Sequence, residues 1–165
     1  MNSMWLYHYE WLVFLAIAML GVYDVCTKRA PDKALVFILP FALLSPAVRL
    51  WAQGANVAQA ASFAPLLLSS LLGAGLGFAV LLGAALASRD GNGVGGGDVK
   101  LAAILGFVYG SAGIIGILLV ASLTALPVGL YCRKKSGGEA LSLPFVPFMA
   151  IGCLAITIVK FLSIK

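Results

Sequence analysis

Charge is what this sequence lacks. Of 165 residues, 11 are Lys or Arg, 6 are Asp or Glu and one is His, so charged side chains make up 10% of the chain. Soluble domains carry about 25%. Apolar residues reach 62% and the mean hydropathy is +1.05. A water-soluble fold of this length could not hide so much apolar surface, so the main solvent is expected to be lipid. A long polar stretch that could fold separately is also missing, and residues 1–165 read as one membrane domain. The three cysteines, Cys26, Cys132 and Cys153, show no CxxC spacing, which argues against a zinc site or a disulfide framework and suits packed thiols. No cofactor or metal motif is apparent. The segment from Met1 to Trp11 has no Lys or Arg, and no small-residue cleavage site follows the apolar run, so the first hydrophobic segment is expected to stay attached.

What charge there is lies in short clusters between apolar runs. That is a topology signal and not a nucleic-acid footprint, and no nucleic-acid partner is expected. A bilayer core takes about 20 apolar residues per helix. The first span is expected from about Trp5 to Tyr23, opened by an aromatic belt of Trp5, Tyr7, His8, Tyr9 and Trp11 and closed at Asp24. A polar turn follows, with Lys28, Arg29, Pro31, Asp32 and Lys33. The second span runs from about Ala34 to Trp51 with Pro40 and Pro46 inside it, and the third from about Phe63 to Ser88. The stretch from Leu101 to Cys132 carries no charge, and one helix of that length would overshoot a core about 30 Å thick. Two helices broken at Tyr109-Gly110-Ser111 put Arg133, Lys134 and Lys135 on the same side as Lys28, Arg29, Lys33, Arg89 and Lys100, as the positive-inside rule requires. The last span runs from about Leu143 to Leu162. The expectation is an all-α polytopic membrane protein of six transmembrane helices with both termini outside the cytoplasm.

This topology sets Asp24 at the cytoplasmic end of the first helix and Asp98 at the cytoplasmic start of the fourth, 74 positions later. Two carboxylates at one depth can meet between packed helices and share a proton, because like charges at close range resist double ionisation. One can then act as general base on a water and the other as general acid toward a carbonyl, with no metal or covalent intermediate needed. Alone, Asp98 could equally be the N-cap of its helix, and Asp24 a solvated loop acid balancing Lys28 and Arg29. Gly95, Gly96 and Gly97 allow close backbone approach, and as an extended edge beside the acid they could pair with a peptide substrate. Lys100 reads first as a cytoplasmic anchor, and alternatively as a group that lowers the cost of a nearby carboxylate. Pro144 and Pro147 suit the first turn of the last helix, where they could also border a substrate groove. Glu10, near the other end of the first helix, is expected to be hydrated or paired with a cation.

The run Gly95-Gly96-Gly97-Asp98-Val99-Lys100-Leu101 resembles the GxGD-V-K-L signature of type IV prepilin peptidases. Asp24 with Pro31 seven positions on resembles that family's first aspartate motif, although Ala30 and Asp32 stand where Ile and Asn are frequent. Leu143-Pro144-Phe145-Val146-Pro147-Phe148 with Gly152 is similar to its late P-x-x-P-F segment. The resemblance implies an intramembrane aspartic endopeptidase of the bacterial inner membrane with Asp24 and Asp98 as its catalytic pair and no cofactor. Its partner would be a prepilin or pseudopilin substrate: a basic leader, a small residue before the cut, and a hydrophobic helix after it. Larger members carry a cytoplasmic insert with paired CxxC motifs and methylate the new N-terminus. The turn after Asp24 is too short for such an insert, so a peptidase without methyltransferase activity is expected, similar to the short members that serve Flp/Tad-type pili. A different class of function, a small transporter or channel using intramembrane carboxylates, would need the acids nearer the bilayer midplane. The sequence carries no signal for oligomeric state.

Overall fold

A computed structural model of the chain describes residues 3–27, 32–52, 63–87, 95–135 and 144–162. The polar turn with Lys28, Arg29 and Pro31, the loop at 53–62, the segment 88–94 with Arg89 and Asp90, and residues 136–143 lie outside the described residues, as do the side chains of Cys26, Asp32, Lys33 and Arg133. The described residues form helices and no strand: α1 (Ser3–Thr27), α2 (Asp32–Leu43), α3 (Ser45–Ala52), α4 (Phe63–Ala87), α5 (Gly96–Lys135) and α6 (Val146–Leu162). By length and composition α4 and the Gly96–Cys132 part of α5 could cross a membrane, while Ile38–Ala52 and Val146–Leu162 are shorter apolar stretches.

One of these helical stretches departs from the sequence expectation and another follows it. The second span is not one helix. Leu44 is a turn residue between α2 and α3, because Pro46 has no N–H to offer the Ala42 carbonyl and restricts the residue before it. Pro40, by contrast, is accommodated inside α2. The uncharged stretch in α5 is broken as expected: Gly110 is non-helical, with φ 75° and ψ −179°. The chain folds back there. A side chain on Gly77 would meet both the Ala102 carbonyl and the Ile114 side chain. Along one straight helix those two residues would be about 18 Å apart.

Among the described residues, six helical legs therefore run between two ends of a bundle. They are α1, the bent pair α2–α3, α4, the two halves of α5, and α6. Gly73 packs on Gly106 and Gly77 on Ala102, so α4 runs antiparallel to the first half of α5. Gly21 lies against Pro147 and Glu10 pairs with Lys160, so α1 and α6 are antiparallel too. The core between the legs is built from Val13, Ile17, Leu101, Leu105, Ile114, Ile117, Val146 and Met149.

The surface is the reverse of a soluble protein's. Met19, Leu86, Tyr131 and many other large apolar residues face outward, while Glu10, Asp24, Asp98, Ser70 and Thr157 are buried. A water-soluble chain would not leave so continuous an apolar surface exposed while sequestering its acids. Apolar helices with polar groups turned inward are what a lipid solvent selects.

Candidate active site

Nothing in the sequence interrupts α1 before Pro31, so the helix continues past the apolar run and carries Asp24 in its last turns, not after its end. Asp24 is only 4% exposed. The face of α1 one turn earlier is held by α6: a Cβ on Gly21 would stand 3.3 Å from Pro147 Cα. Pro147 is the second residue of α6, where its fixed φ suits a first turn and its missing N–H removes no helical bond.

Asp98 reaches the same end of the bundle from α5 and is 8% exposed. It is not the N-cap. Gly95 takes that position, and Asp98 stands at the third residue of the helix. Its Oδ2 accepts from the Gly95 N–H at 3.2 Å, while its own N–H donates to the Gly95 carbonyl at 3.0 Å. This is one half of a capping box, since Gly95 has no side chain to return the bond, and it places the acid near the positive end of the helix dipole. The carboxylates of Asp24 and Asp98 lie within electrostatic reach of each other. Two buried acids from distant parts of the chain thus share one rim of the bundle.

The remaining residues of the sequence reading are partly gathered there. Gly96 and Gly97 lie in the first turn of α5, so they form no extended strand edge; the capping by Asp98 draws them into the helix. As first-turn residues they carry N–H groups that have no acceptor within the helix. Gly95 alone of the three lies outside it. Lys100 is exposed and lines a groove of about 400 Å³ with Leu35, Val36, Leu39, Phe78 and Ile104. A second groove, about 260 Å³, runs between α1 and α6 beside Gly21, Val22 and Pro147. Pro144 is half-buried just ahead of α6. An apolar groove therefore opens beside each helix that carries an acid. Among the described residues no three His, Cys, Asp or Glu side chains cluster as a metal site would need.

The opposite end holds a polar group that sequence reasoning found only in part. Glu10, expected to be hydrated or cation-paired, bonds Lys160 Nζ through Oε1 at 2.6 Å. Lys160 also lies 5.0 Å from the Tyr109 ring centroid, and the Tyr109 hydroxyl is 3.1 Å from Thr157 Oγ1. Tyr9 donates to the Phe41 carbonyl, Ser45 to the Phe107 carbonyl and Arg49 to the Val108 carbonyl. Each acceptor stands beside one of the helix breaks, at Leu44 or Gly110. The available signal was Ser45 and Arg49 spaced one turn apart within an apolar run.

Residues 11–130 match the type IV leader peptidase family. That match takes in most of the chain and both acids. The chain belongs to the type IV leader peptidase family. Among curated proteins, it is 31% identical over 155 residues to a prepilin leader peptidase/N-methyltransferase of Bacillus subtilis, covering 87% of this chain and 52% of that protein. It is 29% identical over 162 residues to a protein of the same description from Xanthomonas campestris pv. campestris, covering 90% and 51%. The chain thus spans about half the length of these relatives. No solved structure matches.

Within this chain the matched region includes Asp24, Gly95 to Asp98 and Lys100 but stops before Pro144 and Pro147. The first groove and the capped acid lie wholly inside it, and the α6 wall of the second groove lies outside.

Proposed function

We propose that this chain is an intramembrane aspartic endopeptidase that removes the basic leader of prepilin- or pseudopilin-like substrates at the cytoplasmic face of the bacterial inner membrane. The observation that supports the reading is that two buried carboxylates, Asp24 and Asp98, lie at the same end of an apolar helix bundle within electrostatic reach of each other.

The chemistry follows from that pair. With one proton between them, the ionised acid takes a proton from a water molecule, and that water adds to the scissile carbonyl as the protonated acid donates to its oxygen. Collapse of the resulting diol breaks the C–N bond, and the departing amine leaves with a proton from the pair. Gly95 and the start of α5 lie beside the acid, where a small residue before the cut would fit against bare backbone. The hydrophobic helix after the cut would lie in the membrane along one of the two grooves.

The proposed topology has six membrane spans and both termini outside the cytoplasm, with Lys28, Arg29, Lys33, Arg89, Lys100, Arg133, Lys134 and Lys135 on the cytoplasmic side. The lack of any CxxC pair in the sequence supports a peptidase without N-methyltransferase activity.

The test is co-expression with a prepilin. Asp24→Ala and Asp98→Ala should each abolish leader removal, read as a mobility shift, while the protein stays in the membrane fraction. Full processing by either variant would end the two-aspartate reading.

A further inference from the structure

The first half of α5 is a short rod with Asp98 near one end and a broken helix end at the other. At Gly110 the backbone leaves the helix, so the carbonyls of the preceding turn lose the N–H partners that a continuing helix would supply. In an apolar layer such groups must be satisfied from elsewhere. Helix α3 supplies the donors. Ser45 Oγ donates to the Phe107 carbonyl at 3.2 Å, and Arg49, four residues on and so on the same helix face, donates to the Val108 carbonyl. Ser45 is fully buried. Arg49 also covers the break itself, since a Cβ on Gly110 would stand 3.3 Å from its Nη1.

The charges agree with this role. A cation at the carbonyl end and an acid at the amino end both complement the dipole of the same half-helix. Glu10 lies within electrostatic reach of the guanidinium. The contact of this half-helix with α4 runs through Gly73, Gly77, Ala102 and Gly106. Such a smooth backbone contact sets separation well but offers few interlocking side chains against sliding. Leu101, Leu105 and Val108 pack the rod's other faces into the core, and the pinned end adds polar bonds that fix its register.

We propose that Arg49, with Ser45, is a positioning residue for Asp98: it closes the far end of the half-helix that presents the acid and so sets the depth at which Asp98 meets Asp24. The inference rests on the two-aspartate reading above.

The experiment uses the full chain in liposomes with a purified prepilin, with cleavage followed against substrate concentration and pH. Arg49→Met should lower kcat about tenfold to a hundredfold, as a displacement of about 1 Å can. KM should stay within about twofold, and Arg49→Lys should restore most of the rate. The bell of kcat against pH should also narrow, because acids moved apart interact less. Loss of folded enzyme alone would scale the rate equally at every pH. A wild-type kcat in Arg49→Met, or a loss uniform in pH and unrelieved by Lys, overturns the proposal. If Arg49→Met does not accumulate, Ser45→Ala decides by the same profile: narrowing supports the proposal and a wild-type bell overturns it. Cleavage by Asp24→Ala or Asp98→Ala would instead sink the underlying reading and take this inference with it.

Discussion

Gly73 and Gly106 meet backbone to backbone, and a methyl group on either would run into the other's carbonyl. Helices in lipid gain their association from such close approach, since lipid chains are as apolar as leucine. Gly73→Ala and Gly106→Ala should each destabilise the protein by about 1–3 kcal/mol through overpacking. Gly75 and Gly83 lie on the same helix as Gly73 with open space around them. Alanine at those two positions should stabilise by about 0.5–1 kcal/mol, the helix propensity difference. Thermal unfolding in detergent reads both, and equal effects at the four positions would refute the packing argument.

Gly110 tests the backbone instead of the packing. Its φ of 75° with an extended ψ belongs to a region that is essentially glycine's alone. A Cβ there would also press on Ser69 Oγ at 3.1 Å and Arg49 Nη1 at 3.3 Å. Gly110→Ala should therefore cost about 1–3 kcal/mol. A thermal midpoint unchanged from wild type would mean that the chain does not need to turn at this residue.

The fold-back at Gly110 was legible in the sequence from length and charge together. An uncharged run from Leu101 to Cys132 overshoots a bilayer as one helix, and the positive-inside rule favours two crossings over one. The same charge argument set Asp24 and Asp98 at one depth. The break at Leu44 was less legible, since Pro40 and Pro46 look alike in sequence while only the second interrupts the helix. The early start of α5 was hidden by glycines that read as loop until the capping acid three residues on is taken into account. The polar group around Glu10, Arg49 and Lys160 was least legible. Its members sit singly on three helices, and only packing brings them together.

That group yields its own prediction. Glu10 is almost fully buried, with Oε1 on Lys160 and no partner for Oε2 among the described residues. Removing one member of a fully buried pair costs about 3–5 kcal/mol, because the other charge is left alone. Lys160 is 36% exposed and Arg49 stands nearby, so Lys160→Met should cost less, about 1–3 kcal/mol. Glu10→Met combined with Lys160→Met should recover most of that loss. A double-mutant cycle on thermal stability measures the coupling, and strictly additive losses would mean that the two side chains do not act as a pair.

The two roles of Asp98, helix cap and acid, can be separated by substitution. Asparagine keeps an oxygen that can accept from the Gly95 N–H but cannot exchange a proton as a carboxyl group does. Asp98→Asn should hold stability to within about 0.5 kcal/mol, whereas Asp98→Ala should lose about 0.3–1.5 kcal/mol with its capping bond to Gly95. Both should abolish leader removal. Asp98→Glu should also be stable, since Glu is the usual acid of a capping box, yet its longer side chain moves the carboxyl away from Asp24 and should leave cleavage strongly reduced. Thermal midpoints and prepilin processing, measured on the same preparations, give the two readouts. A stable Asp98→Asn variant that processes its substrate at the wild-type rate would leave Asp98 a cap and nothing more.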